Sequence, residues 1–209
     1  MFIKKSTHGK ITVLIVYVGN IIISGDDIEE MTLLKKCLAN EFEIKELGRL
    51  KYFLGIEVAH SREGIFISQQ KYVCDLLKET GMLGCKPTDT PIEQNHKLGE
   101  ITEEPKVDRG RYQRLVGKLI YLSHTRPDIA YVVSVVSQFM HAPKESHLET
   151  VYRILRYLKS TPGRGVLVKR NGSLTLEAYT DADWAGSMID TFHFRILHIS
   201  RRKFSDVEK

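Results

Sequence analysis

Leu14-Ile15-Val16-Tyr17-Val18-Gly19-Asn20-Ile21-Ile22-Ile23-Ser24-Gly25-Asp26-Asp27 anchors the whole chain. Two runs rich in β-branched apolar residues flank Tyr17-Val18-Gly19-Asn20, the pattern of two strands joined by a short loop. A two-residue loop of this kind needs positive φ at its tip, and Gly followed by Asn supplies it cheaply, so the turn is expected at Gly19-Asn20. That tip carries no charged oxygen. Mg²⁺ takes hard oxygen ligands in near-octahedral geometry, and a two-metal centre needs several carboxylates to hold ions about 3.5–4 Å apart. Gly19 has no side chain and Asn20 only a neutral amide, so the tip reads as a turn without metal chemistry.

Gly25-Asp26-Asp27 spells the tripeptide that marks the active hairpin of many viral RNA polymerases, but its setting is different. Asp26, Asp27, Glu29 and Glu30 precede Ile28, Met31, Leu34 and Leu38, apolar positions at helical spacing. Acidic residues in a first helical turn cap free amides and complement the macrodipole, so the pair reads as a helix start.

With 209 residues, 42% hydrophobic and 27% charged, the chain is long enough for one sizeable core or two small ones. Its longest apolar stretch, 11–23, is interrupted by Gly19 and Asn20 and falls short of the roughly 20 residues a membrane span needs. Met1-Phe2-Ile3-Lys4-Lys5 is basic but lacks the apolar segment and cleavage site of a signal peptide. Cys37, Cys74 and Cys85 are odd in number and widely spaced, without zinc-site spacing, so reduced thiols in an intracellular protein are expected. The formal charge of +5 is unevenly spread: residues 106–170 carry thirteen Lys and Arg against four Asp and Glu, a net of +9, whereas residues 1–105 are net −3. Such a cluster suits a polyanion partner bound in a salt-sensitive way, and it equally suits a solvated helical face.

Along the chain, 12–18 and 21–24 form the first hairpin and 26–40 a helix, followed by a turn at Gly48, a strand beyond it, and a second hairpin around Gly64. Ser68 is a candidate N-cap for a helix with Tyr72, Val73, Leu76 and Leu77 on one face that stops at Gly81. Residues 85–106, with Pro87, Pro91 and Pro105, read as a linker. Three helices follow: 111–124, burying Tyr112, Leu115, Val116, Leu119 and Ile120; 127–140, opened by Pro127; and 144–160, with Leu148, Val151, Tyr152, Leu155 and Leu158 on one face. Arg153, Arg156 and Lys159 fall on another arc of the last helix. From Gly165 the pattern returns to β, with Asn171-Gly172 as a hairpin turn.

Residues 11–186 resemble a copia-type retrotransposon polyprotein. The resemblance rests on the Tyr17-Val18 hairpin, Leu47-Gly48-Arg49-Leu50-Lys51-Tyr52-Phe53-Leu54-Gly55-Ile56-Glu57, Gln70-Lys71-Tyr72, Cys85-Lys86-Pro87-Thr88-Asp89-Thr90-Pro91, Tyr112-Gln113-Arg114-Leu115-Val116-Gly117-Lys118-Leu119, Thr125-Arg126-Pro127-Asp128-Ile129 and Tyr179-Thr180-Asp181-Ala182-Asp183-Trp184-Ala185-Gly186, in that order. It implies an α+β chain: a partial reverse transcriptase palm of β-hairpins and helices (1–84), a linker (85–106), a basic three-helix thumb or connection segment (107–164), the first strands of a ribonuclease H-like domain (165–186) and an unmatched tail (187–209). Three departures accompany it. The family's hairpin reads Tyr-Val-Asp-Asp, where this chain has Gly19 and Asn20. The palm strand that brings another catalytic Asp is expected before Met1. Of the four ribonuclease H carboxylates only Asp181 has a counterpart, as a remnant metal position, with Asp183 a neighbour.

The resemblance therefore implies RNA-directed DNA synthesis as the family activity, with Mg²⁺ as the family's cofactor and an RNA/DNA template-primer as partner. This chain itself is expected to bind no cofactor and to be a pseudoenzyme, with no intact catalytic residue at Tyr17, Val18, Gly19 and Asn20. The alternatives are a nucleic-acid-binding module using Lys118, Arg126, Arg153, Arg156, Lys159 and Arg164, or a decayed product without a role.

Overall fold

A computed structural model describes residues 1–93, 98–99 and 104–169. The Asn171-Gly172 turn, Asp181, Asp183 and the tail lie outside the described residues. The architecture is α+β, with two sheets and five α-helices, and the contacts divide it into two compact units, residues 1–53 and residues 54–168.

In the first unit, β1 (Phe2–Lys5), β2 (Ile11–Tyr17) and β3 (Asn20–Gly25) form an antiparallel sheet in that order, followed by α1 (Ile28–Glu41). The expected hairpin and helix are both present; β1 is an addition. The turn, however, sits one residue earlier than expected: Tyr17 pairs with Asn20, leaving Val18 and Gly19 at the tip. Register decides this. Leu14↔Ile23, Ile15↔Ile22 and Val16↔Ile21 are opposed across the ladder, and a one-residue slip of either strand would turn its apolar side chains to the other face. Val18 consequently takes φ 51°, a left-handed conformation costly for a β-branched residue. Buried apolar side chains here are few: Ile22, Ile23 and Met31. The unit closes with the two-residue strand β4 (Tyr52–Phe53).

The second unit contains β5 (Ile56–His60), β6 (Gly64–Ser68), α2 (Gln70–Glu79), a 3₁₀ turn at Met82–Gly84, α3 (Arg109–Ser123), α4 (Pro127–Ser137), α5 (Glu145–Ser160) and β7 (Gly165–Lys169). β5 and β6 are antiparallel, and β7 lies beside β6. Seventeen buried side chains from α2, α3, α4 and α5 form one continuous core. At roughly 2 kcal/mol for each buried aliphatic or aromatic side chain, this cluster dominates the folding free energy.

Four sequence expectations change here. The boundary at residue 84 dissolves, because Val73, Leu76 and Leu77 of α2 pack into the same core as the three later helices. Residues 85–93 do not behave as a linker: Thr88 N donates to Arg156 O at 3.4 Å, Arg153 holds Glu93 and Thr90, and Ile92 packs on the core. On α3, Leu122 is buried and Ile120 exposed, since the buried arc runs Tyr112, Leu115, Val116, Leu119, Leu122. Ser68 does not cap α2; Glu57 of β5 does so from outside the helix, accepting from Lys71 N at 3.0 Å and from the Ser68 hydroxyl at 3.3 Å.

His147 is the one buried histidine among the described residues, at 2% exposure. Its Nδ1 accepts from Lys144 N at 3.1 Å, its Nε2 meets Leu98 O at 3.0 Å, and its ring stacks on Phe139 at 3.8 Å. One ring nitrogen accepts while the other donates, so the neutral tautomer fits and the cation does not. Burial holds its pKa below the ordinary value, against the opposing pull of the Leu98 carbonyl and Glu104. A folded pKa below the unfolded one means that the unfolded chain takes up the proton first. Stability conferred at neutral pH is therefore lost as pH falls through about 6.5, by up to about 1.4 kcal/mol per pH unit. Urea unfolding between pH 7.5 and 5.5 should show this slope, and His147→Gln should flatten it relative to the parent chain.

Candidate functional site

At the hairpin tip, Val18 is 92% exposed, and Tyr17 and Asn20 are also exposed. A Cβ added at Gly19 would meet nothing within 4 Å, so the position is open to a side chain and simply has none. The nearest acidic pair in sequence, Asp26-Asp27, lies beyond the far end of β3. Six residues of strand place it about 20 Å from Asn20. Both carboxylates are engaged there: Asp26 Oδ1 accepts from Ile11 N at 2.5 Å, and Asp27 Oδ1 caps α1 by accepting from Glu30 N at 3.2 Å. Asp27 bears out the helix-start reading of Gly25-Asp26-Asp27, whereas Asp26 instead ties the start of β2 through the Ile11 amide. The residues at the tip do not fit a divalent metal, and among the described residues no three His, Cys, Asp or Glu side chains cluster as a metal site requires.

The six candidate cations of the basic helices do not form one surface. Arg126 is 1% exposed and is withdrawn from the set. Its Nε and Nη2 grip Asp128 at 2.9 and 2.8 Å, its Nη1 donates to Thr161 O at 2.8 Å, and Nη2 also reaches Thr161 Oγ1 at 2.7 Å. Tyr157 OH donates to Asp128 Oδ2 at 2.8 Å and accepts from Arg164 Nη1 at 2.8 Å. Burial pushes the Asp128 carboxyl up, but the Arg126 and Tyr157 hydrogen bonds outweigh it and leave the pKa below the usual range. This network joins the start of α4 to the end of α5. It is scaffold, and Arg164 belongs to its rim.

Arg153, Arg156 and Lys159 lie on α5 as expected, but each has an internal partner. Arg153 pairs with Glu93 at 2.7 Å, Arg156 with Glu149 at 2.5 Å, and Lys159 donates to Cys85 O. Arg153 and Lys159 thereby clip the 85–93 segment to the helix. Lys118 pairs with Glu79 across α3 and α2. Two cations that the sequence reading passed over, Arg111 and Arg114, line the same cleft as Lys118, together with Glu79, Thr80 and Leu115. Their spacing along α3 could have revealed them.

The reverse transcriptase (RNA-dependent DNA polymerase) family profile matches residues 1–94. The chain is 44% identical over 183 residues to a retrovirus-related Pol polyprotein from transposon RE1 of Arabidopsis thaliana, covering 86% of this chain and 12% of that protein. It is 38% identical over 174 residues to an uncharacterized mitochondrial protein of the same plant, covering 83% of this chain and 72% of that protein. The chain belongs to the copia-type Pol polyprotein family, in its reverse transcriptase segment.

A further relative, the Pol polyprotein from transposon TNT 1-94 of Nicotiana tabacum, is 34% identical over 197 residues and matches 90% of this chain but 15% of its own length. The chain thus spans about an eighth of the length of the RE1 polyprotein. No solved structure matches it. Its first hairpin turns at Val18-Gly19, with Asn20 opening β3, so neither Gly19 nor Asn20 brings an anionic side chain there. No helix among the described residues is long and apolar enough to cross a membrane.

Proposed function

We propose that this copia-type segment derives from a polymerase palm and thumb and does not itself catalyse RNA-directed DNA synthesis. The first hairpin and α1 represent the palm, α3, α4 and α5 the thumb or connection, and residues from Gly165 onward the start of a ribonuclease H-like region, with Asp181 a lone remnant. One observation carries the reading: Gly19 and Asn20 stand at an exposed, sterically open hairpin end where the resemblance calls for two aspartates. Charge developing at a transferring phosphoryl group is neutralised by metal ions, and binding a primer does not substitute for them. The chain requires no Mg²⁺ of its own. Purified chain given RNA template, DNA primer and dNTPs with Mg²⁺ or Mn²⁺ should incorporate nothing above background; clear extension would refute the reading.

The +9 charge of residues 106–170 favours a second reading, in which the segment retains template-primer binding without chemistry.

A further inference from the structure

We infer that the phosphate-binding surface of this chain is the α3 stripe Arg111, Arg114 and Lys118, facing the C-terminal end of α2, and not the cationic arc of α5. The inference deepens the template-binding reading and rests on it. Spacings of three and four residues put the three cations on one arc of α3, and with Glu79, Thr80 and Leu115 they line a single cleft. Seven residues of helix separate the first from the last, about 10 Å, which matches the axial run of about three phosphates on one strand.

Pairing, not net charge, separates this face from α5. On α5, Arg153 pairs with Glu93, Arg156 with Glu149, and Lys159 is spent on the Cys85 carbonyl, so engaging phosphate through Arg153 or Lys159 means releasing the 85–93 segment. On α3, two carboxylates accompany the three cations: Glu79 pairs with Lys118, and Asp108 lies within electrostatic reach of Arg111 and Arg114. Arg111 and Arg114 make no side-chain hydrogen bond or ion pair among the described residues. Arg111 lies 5.9 Å over the Tyr152 ring, a cation–π contact that limits its wandering. Asp108, the acidic residue before them, is committed as the α3 cap, accepting from Arg111 N at 2.9 Å. The stripe contacts backbone oxygens and reads no bases, so the ligand is a nucleic-acid duplex without sequence preference.

The test is anisotropy titration of a labelled RNA–DNA duplex with the full chain at several salt concentrations. Three phosphate contacts predict an affinity loss of about 40-fold between 50 and 200 mM salt, and one contact about 3.5-fold. Arg111→Gln with Arg114→Gln should show the shallower dependence, Arg111→Lys with Arg114→Lys should keep the steep one, and Arg156→Gln should bind as the parent does. Arg114→Gln alone, with an intermediate slope, serves if the double variant does not melt cooperatively. A double variant with the parent's slope, loss of the slope in Arg156→Gln, no duplex binding at 50 mM salt, or equal affinity for polyglutamate would each overturn the inference. Primer extension reports on the hairpin alone, so activity there would sink the pseudoenzyme reading while leaving the stripe in place.

Discussion

Arg126→Ala is expected to destabilise the helical unit by about 3–5 kcal/mol, the usual cost of breaking a buried ion pair from one side. The substitution removes a guanidinium at 1% exposure and leaves the Asp128 carboxylate, Thr161 O and Thr161 Oγ1 short of donors in the same pocket. Arg126→Lys should recover only part of this, because an ammonium cannot make the two-point contact to Asp128 and reach Thr161 as well. Urea unfolding followed by far-UV circular dichroism, with hydrogen exchange at α4 and α5 amides, reads both effects. Near-native exchange protection in Arg126→Ala would show that the network contributes little. If Arg126 served phosphate instead, the alanine variant would lose duplex affinity and keep its stability.

The second large effect is expected at Gly25. Its φ is +153°, and a Cβ placed there would lie 2.1 Å from Ile11 O and 3.0 Å from Thr12 Cα, both backbone atoms of the paired strand. No rotamer relieves such a clash; the strands must separate. Strain at the disallowed backbone angle and overpacking each cost about 1–3 kcal/mol, so Gly25→Ala should lose about 3–4 kcal/mol. The first unit, with three buried apolar side chains, has little reserve. Amide exchange should therefore show β2 and β3 unprotected in Gly25→Ala while α3, α4 and α5 remain protected. Intact protection in β2 would contradict the close-approach role of this glycine.

Local rules made much of the chain legible. Asp27 caps α1 as its position before a helical apolar stripe indicates, and Pro127 opens α4 at its first turn. The buried face of α3 follows from spacing apart from the exchange of Ile120 for Leu122. On α5, Val151, Leu155 and Leu158 are buried as spaced, Leu148 and Tyr152 are only partly buried, and His147, Ile154 and Tyr157 join the buried set. The misreadings share a cause, in that long-range partners override local preference. Gly-Asn would suit the turn, yet the pairing of Val16 with Ile21 moves the tip to Val18-Gly19. Arg126 looked like a surface cation because its second anchor, Thr161, is 35 residues away. The proline-rich run 85–93 looked free because its partners, Arg153, Arg156 and Lys159, lie on α5. The absence of carboxylates at Gly19-Asn20 needed no tertiary information at all.

Gly19 and Asn20 leave this hairpin end no anionic oxygen with which to hold a divalent cation. Mn²⁺ titration with paramagnetic broadening of backbone amides, in the presence of template, primer and dNTP, tests this directly. Signals of Tyr17, Val18, Gly19 and Asn20 should stay sharp in the parent chain and broaden in Gly19→Asp with Asn20→Asp, a change the open space at Gly19 accommodates. Selective broadening at those four residues in the parent chain would contradict the account.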